Sequence, residues 1–334
     1  MSNYSQDVIP LSTPVESVHL PQPLDTHGEI LIIGSCFAEH IGKKLDEFLF
    51  PVILNPMGIQ YNPLSIAKAL EQIMNQRTYS VDDLVKHQGR YHSLMHHGDF
   101  SDADSQVVLD RVEEMMARTW NALPHIKHLV LTFGTAYVYE EKGTGEVVSN
   151  CHKLPASLFT RRRLSVDEIV DVYSDLLRRL WQINEFIQVV CTVSPVRHLR
   201  DGAHDNQLSK STLLLAIDKL KMKFPNRVHY FAAYEIVLDE LRDYRFFNAD
   251  MTHPSPVAVD IIWQKFQHTC ISKHDFEYMD QWKHIIKQLK HRPIDVGGER
   301  HLVFLRQLRE KIEKMQVQYP YLDFSKALDL CNIQ

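Results

Sequence analysis

Along most of this chain, short apolar segments alternate with longer segments whose apolar residues repeat at helical spacing. The short segments are EILIIG at 29–34, PVILN at 51–55, HLVLTF at 128–133, FIQVVCTV at 186–193 and RVHYF at 227–231. Strands that are apolar on both faces are typical of a parallel sheet covered by helices on each side. The alternation therefore predicts an α/β fold, a three-layer sandwich around a mainly parallel five-stranded sheet.

The predicted helices divide the chain into an α/β domain and a helical C-terminal subdomain. Apolar spacing predicts helices at 37–50, 64–75, 104–123, 165–183, 209–224 and 256–273. Two more, at 275–289 and 298–315, lie beyond the last strand and predict a helical C-terminal subdomain at 273–334. The α/β domain then occupies 29–272, with an irregular His-rich insertion at 78–99, and residues 1–28 form an N-terminal extension. KGTG at 142–145 predicts a β-hairpin after the third strand.

Composition excludes several classes of protein. The 334 residues have a net charge of −5, which would repel a polyphosphate, so nucleic-acid binding is not expected. No apolar run approaches the roughly 20 residues that span a bilayer, and the N-terminal residues lack a signal-peptide pattern. The five cysteines are dispersed without a Cys-x-x-Cys pair, which is typical of reduced thiols. We expect a cytoplasmic protein that acts on a small molecule and not at a membrane.

Polar motifs follow the predicted strands. A parallel sheet binds its ligands beyond the carboxyl ends of its strands. Four strands are followed there by GSCFA at 34–38, NPMGIQYN at 55–62, GT at 134–135 and SPVRH at 194–198. A loop that reads NADMTHP at 248–254 precedes a late helix. Small, polar and titratable side chains are therefore expected at one edge of the sheet.

Ser35 is the candidate nucleophile in these motifs. A serine nucleophile needs a base, and the base needs a group that orients it. Asp250 and His253 supply both, because two intervening residues let the carboxylate reach the ring Nδ1 and leave Nε2 to accept a proton. Structural roles are also open: Ser35 is a favoured helix N-cap, and Asp250 or Thr252 could cap the helix that follows Pro254.

Cys36 is a rival nucleophile, because thiols at helix N-termini have lowered pKa values. A small buried apolar residue is the commoner fate of a free cysteine. We therefore favour Ser35.

Together, GSCFA, NPMGIQYNP, FGTAYVY, SPVRH and DMTHP resemble the GSCFA family, which is similar to the SGNH/GDSL hydrolase superfamily. The resemblance covers about 29–272 and implies a flavodoxin-like, SGNH-type sheet. It places Ser35 as nucleophile, Asp250 and His253 as acid and base, and the N–H of Gly58 at the oxyanion.

One expected residue is missing. SGNH enzymes follow the third strand with Gly-x-Asn, whose amide completes the oxyanion hole, whereas this chain has Gly134-Thr135-Ala136. Beside the N–H groups of Ser35 and Gly58, the missing donor is expected from Thr135 or from an amide, for which Asn55, Asn62 and Asn150 are the candidates. We favour Asn150, because an amide reaches further than a hydroxyl and the hairpin that ends there starts directly after the third strand.

Other polar side chains near the strand ends are predicted to contact substrate, although Arg197 could instead pair with Asp201 or Asp205. His92 and His96 have a spacing that binds zinc on a helix, but Gly89 and Gly98 favour a loop, so no metal and no cofactor are predicted. The predicted contacts are Asn55, Tyr61, His97, His152, Arg197 and His198.

These motifs predict a serine esterase, or an acyltransferase with the same residues, that acts on a small O-acyl ester. The resemblance suggests an O-acetylated carbohydrate. The alternative is a non-catalytic carbohydrate- or ligand-binding protein that keeps the SGNH cleft but lacks a complete oxyanion hole. Nucleotide binding is excluded, because the chain has neither G-x-G-x-x-G after its first strand nor a P-loop lysine.

Overall fold

The computed structural model describes residues 12–16, 18–291 and 298–331. Residues 1–11 and 17 of the predicted N-terminal extension lie outside the described residues. The strands are β1 (Glu29–Gly34), β2 (Val52–Leu54), β3 (Leu84–His87), β4 (Arg90–Ser93), β5 (Ile126–Phe133), β6 (Tyr137–Glu141), β7 (Val147–Val148), β8 (Phe159–Arg163), β9 (Gln188–Val193) and β10 (Val228–Tyr230).

Helices connect and flank these strands, and several begin at a polar N-cap whose side chain accepts a backbone N–H. Ser35, Asn62, Asp104, Ser165 and Ser255 do so. The helices are α1 (Cys36–Glu47), α2 (Pro63–Met74), α3 (Ser105–Ala122), α4 (Val166–Ile183), α5 (Gly202–Lys223), α6 (Ala233–Glu235), α7 (Pro256–Cys270), α8 (Phe276–Leu289), α9 (Glu299–Gln318) and α10 (Ser325–Leu330).

The central sheet has five parallel strands in the order β10-β9-β5-β1-β2. Numbered along the sheet strands alone, this is the flavodoxin-like order 2-1-3-4-5, in which the direction of winding reverses between β1 and β5. The predicted α/β fold and its five-stranded sheet are confirmed. The reversal point places the ends of β1, β2, β5 and β9 around one crevice.

Alternate residues of the sheet strands point to two separate cores. In β1, Ile30 and Ile32 pack in the core under α1 and α7, whereas Leu31 and Ile33 pack in the core under α2, α4 and α5. This alternation follows from the two-residue period of a strand. Both faces of the sheet are therefore covered, as the apolar runs predicted.

The C-terminal helices extend the layer that contains α1. The Tyr278 hydroxyl donates to the Phe48 carbonyl at 3.1 Å, and Trp282 Nε1 donates to the Glu47 carbonyl at 2.8 Å. Both bonds join α8 to the end of α1. The division at residue 273 stays a prediction.

Two segments differ from the expected structure. The insertion predicted as irregular contains an antiparallel hairpin of β3 and β4, and the predicted hairpin of β6 and β7 gains a third strand, β8. No helix among the described residues is long and apolar enough to cross a membrane.

Candidate active site

Ser35 occupies the turn between β1 and α1. Its side chain is 1% exposed, and its Oγ accepts the N–H of Phe37 at 3.3 Å as the N-cap of α1. A Cβ on the preceding Gly34 would lie 2.4 Å from the carbonyl oxygen of Thr132, so only glycine permits this close approach of β1 and β5. The turn therefore holds Ser35 at the reversal point of the sheet.

Asp250 and His253 form a bonded pair in the loop before α7. The carboxylate Oδ2 lies 2.6 Å from Nδ1 of His253, and Oδ1 accepts the N–H groups of Thr252 and His253 at 2.9 and 3.0 Å. These N–H groups hold the pKa of Asp250 well below its usual range, and the bond to the ring adds to the effect. The carboxylate thus stays charged and fixes Nδ1 as the protonated nitrogen, which leaves Nε2 as an acceptor.

The loop with this pair lies against the strand ends and α1. The Arg197 N–H donates to the Thr252 carbonyl at 3.4 Å. Burial lowers the pKa values of His198 and of His40 in α1, and the charge of His253 contributes to both shifts. In the described chain, Ser35 Oγ bonds to Phe37 and not to His253. Catalytic hydrogen bonds are often long or poorly aligned without substrate, so the lack of this bond does not exclude His253 as the base.

Both backbone donors predicted for the oxyanion already have acceptors. The Ser35 N–H donates to the Thr132 carbonyl at 3.3 Å, and the Gly58 N–H donates to the Asn55 carbonyl at 2.7 Å. The second bond closes a tight turn after β2. A preformed backbone oxyanion hole at Ser35 and Gly58, as the sequence predicted, is therefore not present in this structure.

The two predicted side-chain donors are also engaged elsewhere. The Thr135 hydroxyl lies 3.1 Å from the Ser209 hydroxyl and accepts the Tyr137 N–H. Asn150 Oδ1 accepts the N–H of His152 at 2.9 Å, the pattern of a turn-forming Asn. These contacts favour structural roles, because each side chain completes a local turn or loop.

Asn55 and Tyr61 lie beside the Ser35 turn. Asn55 Oδ1 accepts the Gly34 N–H at 2.9 Å, and its amide Nδ2 is buried without a partner. The Tyr61 carbonyl accepts the N–H groups of Gly134 and Thr135 at 2.8 and 2.9 Å. Both predicted contact residues therefore belong to the crevice between β1, β2 and β5.

The predicted histidine contacts separate into two groups. His97 packs over Gly58, where a Cβ on residue 58 would overlap its side chain, and its N–H donates to the Met57 carbonyl at 3.0 Å, so the insertion contacts the second motif here. His152 instead bonds through Nε2 to the Ser93 carbonyl at 2.8 Å and stacks on His92 at 4.6 Å. These contacts hold His152 against β4, which belongs to the His-rich insertion.

The ring nitrogens of His92 also have partners, namely the Ser101 hydroxyl at 2.7 Å and the His87 carbonyl at 3.2 Å. No group of three or more His, Cys, Asp or Glu side chains among the described residues is arranged to hold a metal ion. His92 thus has a hydrogen-bonding role in the hairpin, whereas Nε2 of His87 and Nε2 of His96 are buried without a partner among the described residues.

Among the described residues, Arg197 forms no ion pair with Asp201 or Asp205, which was the alternative to a substrate contact. Asp201 pairs instead with Arg161 of β8, while the Arg197 guanidinium lies 5.8 Å from the ring centre of Phe247.

Cys36 has a pKa raised mainly by burial, which disfavours the thiolate that a cysteine nucleophile needs.

Lys210 is a site residue that the sequence analysis missed. Its side chain is fully buried, and Nζ donates to the carbonyls of Gly134 and Ser194, both at 2.6 Å. It thereby joins the ends of β5 and β9 directly below the crevice. Burial lowers the pKa of Lys210 to about 7. Its charge also acts on Cys36 and His198.

Two family models match this chain. A model of the GSCFA family matches residues 29–266, and a model of the C-terminal domain of GSCFA domain proteins matches residues 282–334. No curated protein matches the chain.

Two solved structures are similar over about three quarters of the chain, both at low TM-scores. One is a carbohydrate esterase family 2 enzyme with a carbohydrate binding domain from Corynascus thermopiles (Myceliophthora fergusii), with 12% identity, 75% of this chain and 67% of that chain covered, and a TM-score of 0.37. The other is an acetyl xylan esterase from the rumen bacterium Butyrivibrio proteoclasticus, with 12% identity, 73% and 65% covered, and a TM-score of 0.34.

Proposed function

The chain belongs to the GSCFA family, and we propose that it is a serine hydrolase of the SGNH type that cleaves a small O-acyl ester. The observation that carries the proposal is the 2.6 Å bond between Asp250 Oδ2 and His253 Nδ1, in a loop that lies against the β9 end. A carboxylate that orients a histidine has a clear catalytic use where a serine follows another strand at the same edge of the sheet.

In this mechanism His253 Nε2 accepts the Ser35 Oγ proton as Oγ bonds to the ester carbonyl carbon. The carbonyl π electrons move onto oxygen, and the tetrahedral intermediate then expels the alcohol, which takes the proton from His253. Water repeats the sequence and releases the acid. Because Ser35 Oγ accepts the Phe37 N–H, its own hydrogen is left to face a base, and the N-terminus of α1 stabilises the developing negative charge.

Burial restricts the substrate. Ser35 is 1% exposed, whereas the His253 side chain is 45% exposed, so the base faces solvent and the nucleophile lies deeper. We infer that the acyl group is small, such as acetyl, and that the larger alcohol part, for example a carbohydrate, stays outside. A sugar hydroxyl in place of water would make the same residues an acyltransferase.

A second candidate is a binding protein that keeps the crevice without catalysis. It is favoured by one observation: the N–H groups of Ser35 and Gly58 donate within the protein. Catalysis would then require these groups to change partners, or another donor to replace them.

The test is labelling with a fluorophosphonate, which reacts with activated serines, followed by mass mapping of the adduct. We expect one adduct at Ser35 and slow hydrolysis of an aryl acetate, both lost in Ser35→Ala. Labelling of another residue, or of Ser35→Ala, would contradict the assignment. A folded wild type with neither adduct nor turnover would favour the binding protein.

Ser165→Ala is the matched control. Ser165 is the N-cap of α4, and its Oγ accepts the Glu168 N–H at 3.1 Å. Removing either cap is expected to cost about 1 kcal/mol of stability. If both variants are destabilised equally but only Ser35→Ala loses the label, Ser35 acts as a nucleophile in addition to its role as a cap.

A further inference from the structure

His198 faces Ser35 across Gly134. The position that a Cβ would take on Gly134 lies 3.0 Å from the Tyr61 carbonyl oxygen, 3.4 Å from Nε2 of His198 and 3.4 Å from Cβ of Ser35. The missing side chain of Gly134 thus leaves a small gap between the imidazole and the nucleophile. A substrate carbonyl that is attacked by Ser35 would have its oxygen near this gap.

The ring of His198 is held in place, yet its Nε2 has no hydrogen-bond partner among the residues that the structure describes. The backbone N–H of His198 donates to Asn206 Oδ1 at 2.9 Å, and the ring packs edge-on against Tyr61 with centroids 5.9 Å apart. Nε2 is buried and unpaired. Buried polar atoms in proteins are almost always hydrogen-bonded, so an orphan beside a nucleophile points to a ligand atom as its partner.

The surroundings keep this imidazole neutral. Burial is the largest cause of the pKa of His198 of about 4; the charges of Lys210, His253 and Arg161 lower this pKa further, and the charge of Asp201 raises it. A neutral imidazole that carries its proton on Nε2 is a hydrogen-bond donor and can polarise a carbonyl.

We propose that Nε2–H of His198 is a side-chain donor that stabilises the oxyanion formed at Ser35, beside the unpaired amide of Asn55. The inference rests on the proposed serine hydrolase and assigns the donor role that the sequence had given to Asn150 or Thr135. His198 acts here as a donor and not as a second base. Burial and the charge of Lys210 lower the pKa of His198, which disfavours the protonated form that a base must reach.

Two substitutions separate a donor from a base. A Gln side chain places its amide near the position of a histidine Nε2 and donates from it, but it cannot accept a proton as a base does. In aryl acetate hydrolysis, His198→Ala is expected to lower kcat by about 10²- to 10³-fold with little change in KM. His198→Gln is expected to recover much of that loss.

His229→Gln is the control, because His229 is half-buried on β10, where its Nε2 lies 3.1 Å from Gln188 Oε1. It is expected to leave kcat unchanged. A second readout is the ¹⁵N spectrum of histidine-labelled wild type at pH 7, in which the signal lost in His198→Gln should have the Nε2–H form.

The outcomes distinguish this inference from the proposed function. A wild type that is labelled at Ser35, with kcat unchanged in His198→Ala, would overturn the inference alone. The inference would also be overturned if His198→Gln folds but is as inactive as His198→Ala. An Nδ1–H form in the ¹⁵N signal of His198 would overturn it as well. A wild type with neither label nor turnover would overturn the proposed function and, with it, the inference.

Discussion

Replacing Lys210 by Met removes a fully buried cation below the candidate site while keeping a long, unbranched side chain. Two opposing effects set the result at pH 7. The carbonyls of Gly134 and Ser194 lose their bonds to Nζ, at about 1–3 kcal/mol each. Against this, lowering the pKa from 10.5 to about 7 means that burial of this group costs the native state about 4 kcal/mol at pH 7. The net change is expected to stay within about 2 kcal/mol.

The pH dependence gives a sharper test. Between pH 7 and 10.5 the unfolded chain keeps the Lys210 proton that the native protein has released. Because the unfolded state then binds more protons, this group makes the native protein more stable as pH rises, and the gain is lost as pH falls towards 7. From pH 7 to pH 9 the unfolding free energy of wild type should rise by about 2 kcal/mol relative to Lys210→Met.

Urea denaturation of both proteins at pH 7, 8 and 9 measures this difference, since other titrating groups are common to the two. Lys223→Met, at the exposed last turn of the same helix, is the control and should run parallel to wild type. If wild type and Lys210→Met have the same pH slope, Lys210 is not a buried group with a lowered pKa, and the reasoning fails.

Two other substitutions test the loop pair and the C-terminal helices. Asp250→Asn keeps an acceptor for the loop N–H groups, but its amide would donate to Nδ1 and shift the His253 proton to Nε2; kcat should fall by about 10²- to 10⁴-fold with the fold intact. Steady-state kinetics with a kcat within a few-fold of wild type would contradict this role. Trp282→Ala should destabilise the protein by about 3–5 kcal/mol in a single transition, because the buried indole packs on Phe324 and bonds to the end of α1. Calorimetry that finds a separate C-terminal transition, or no destabilisation, would argue against this packing.

The sheet could be predicted because its strands are buried on both faces, so that β1, β5 and β9 appear in the sequence as continuous apolar runs. β8 carries no such signal. Four of its five residues are exposed, and ion pairs of Arg162 with Glu140 and Glu168 help to hold it beside β6. The β3–β4 hairpin was missed because its turn, Gln88-Gly89, has positive φ at both residues and lacks the usual Asn-Gly or Asp-Gly pair.

Within the candidate site, sequence spacing identified only contacts that are local in the chain. Asp250 and His253 are three residues apart, so a loop can join them without knowledge of the fold, and the structure does place them in a bond. The orphan nitrogen of His198 could not be recognised in this way. This nitrogen lies beside the space left by the missing side chain of Gly134, which follows β5, and near Ser35, which follows β1. The positions of both residues relative to His198 depend on the packing of β1, β5 and β9.

The sequence does contain a pattern that indicates the burial of Lys210. It shares a helix face with Leu213, Ile217 and Leu220, at the helical spacing of the buried stripe of α5. A lysine in that position must either reach solvent or bury its ammonium group, and burial is tolerable only where acceptors meet Nζ. In the first half of α5, which follows β9, the available acceptors are the carbonyls at the strand ends. A lysine on an apolar stripe after a strand therefore predicts a cation beneath the ligand-binding edge of the sheet.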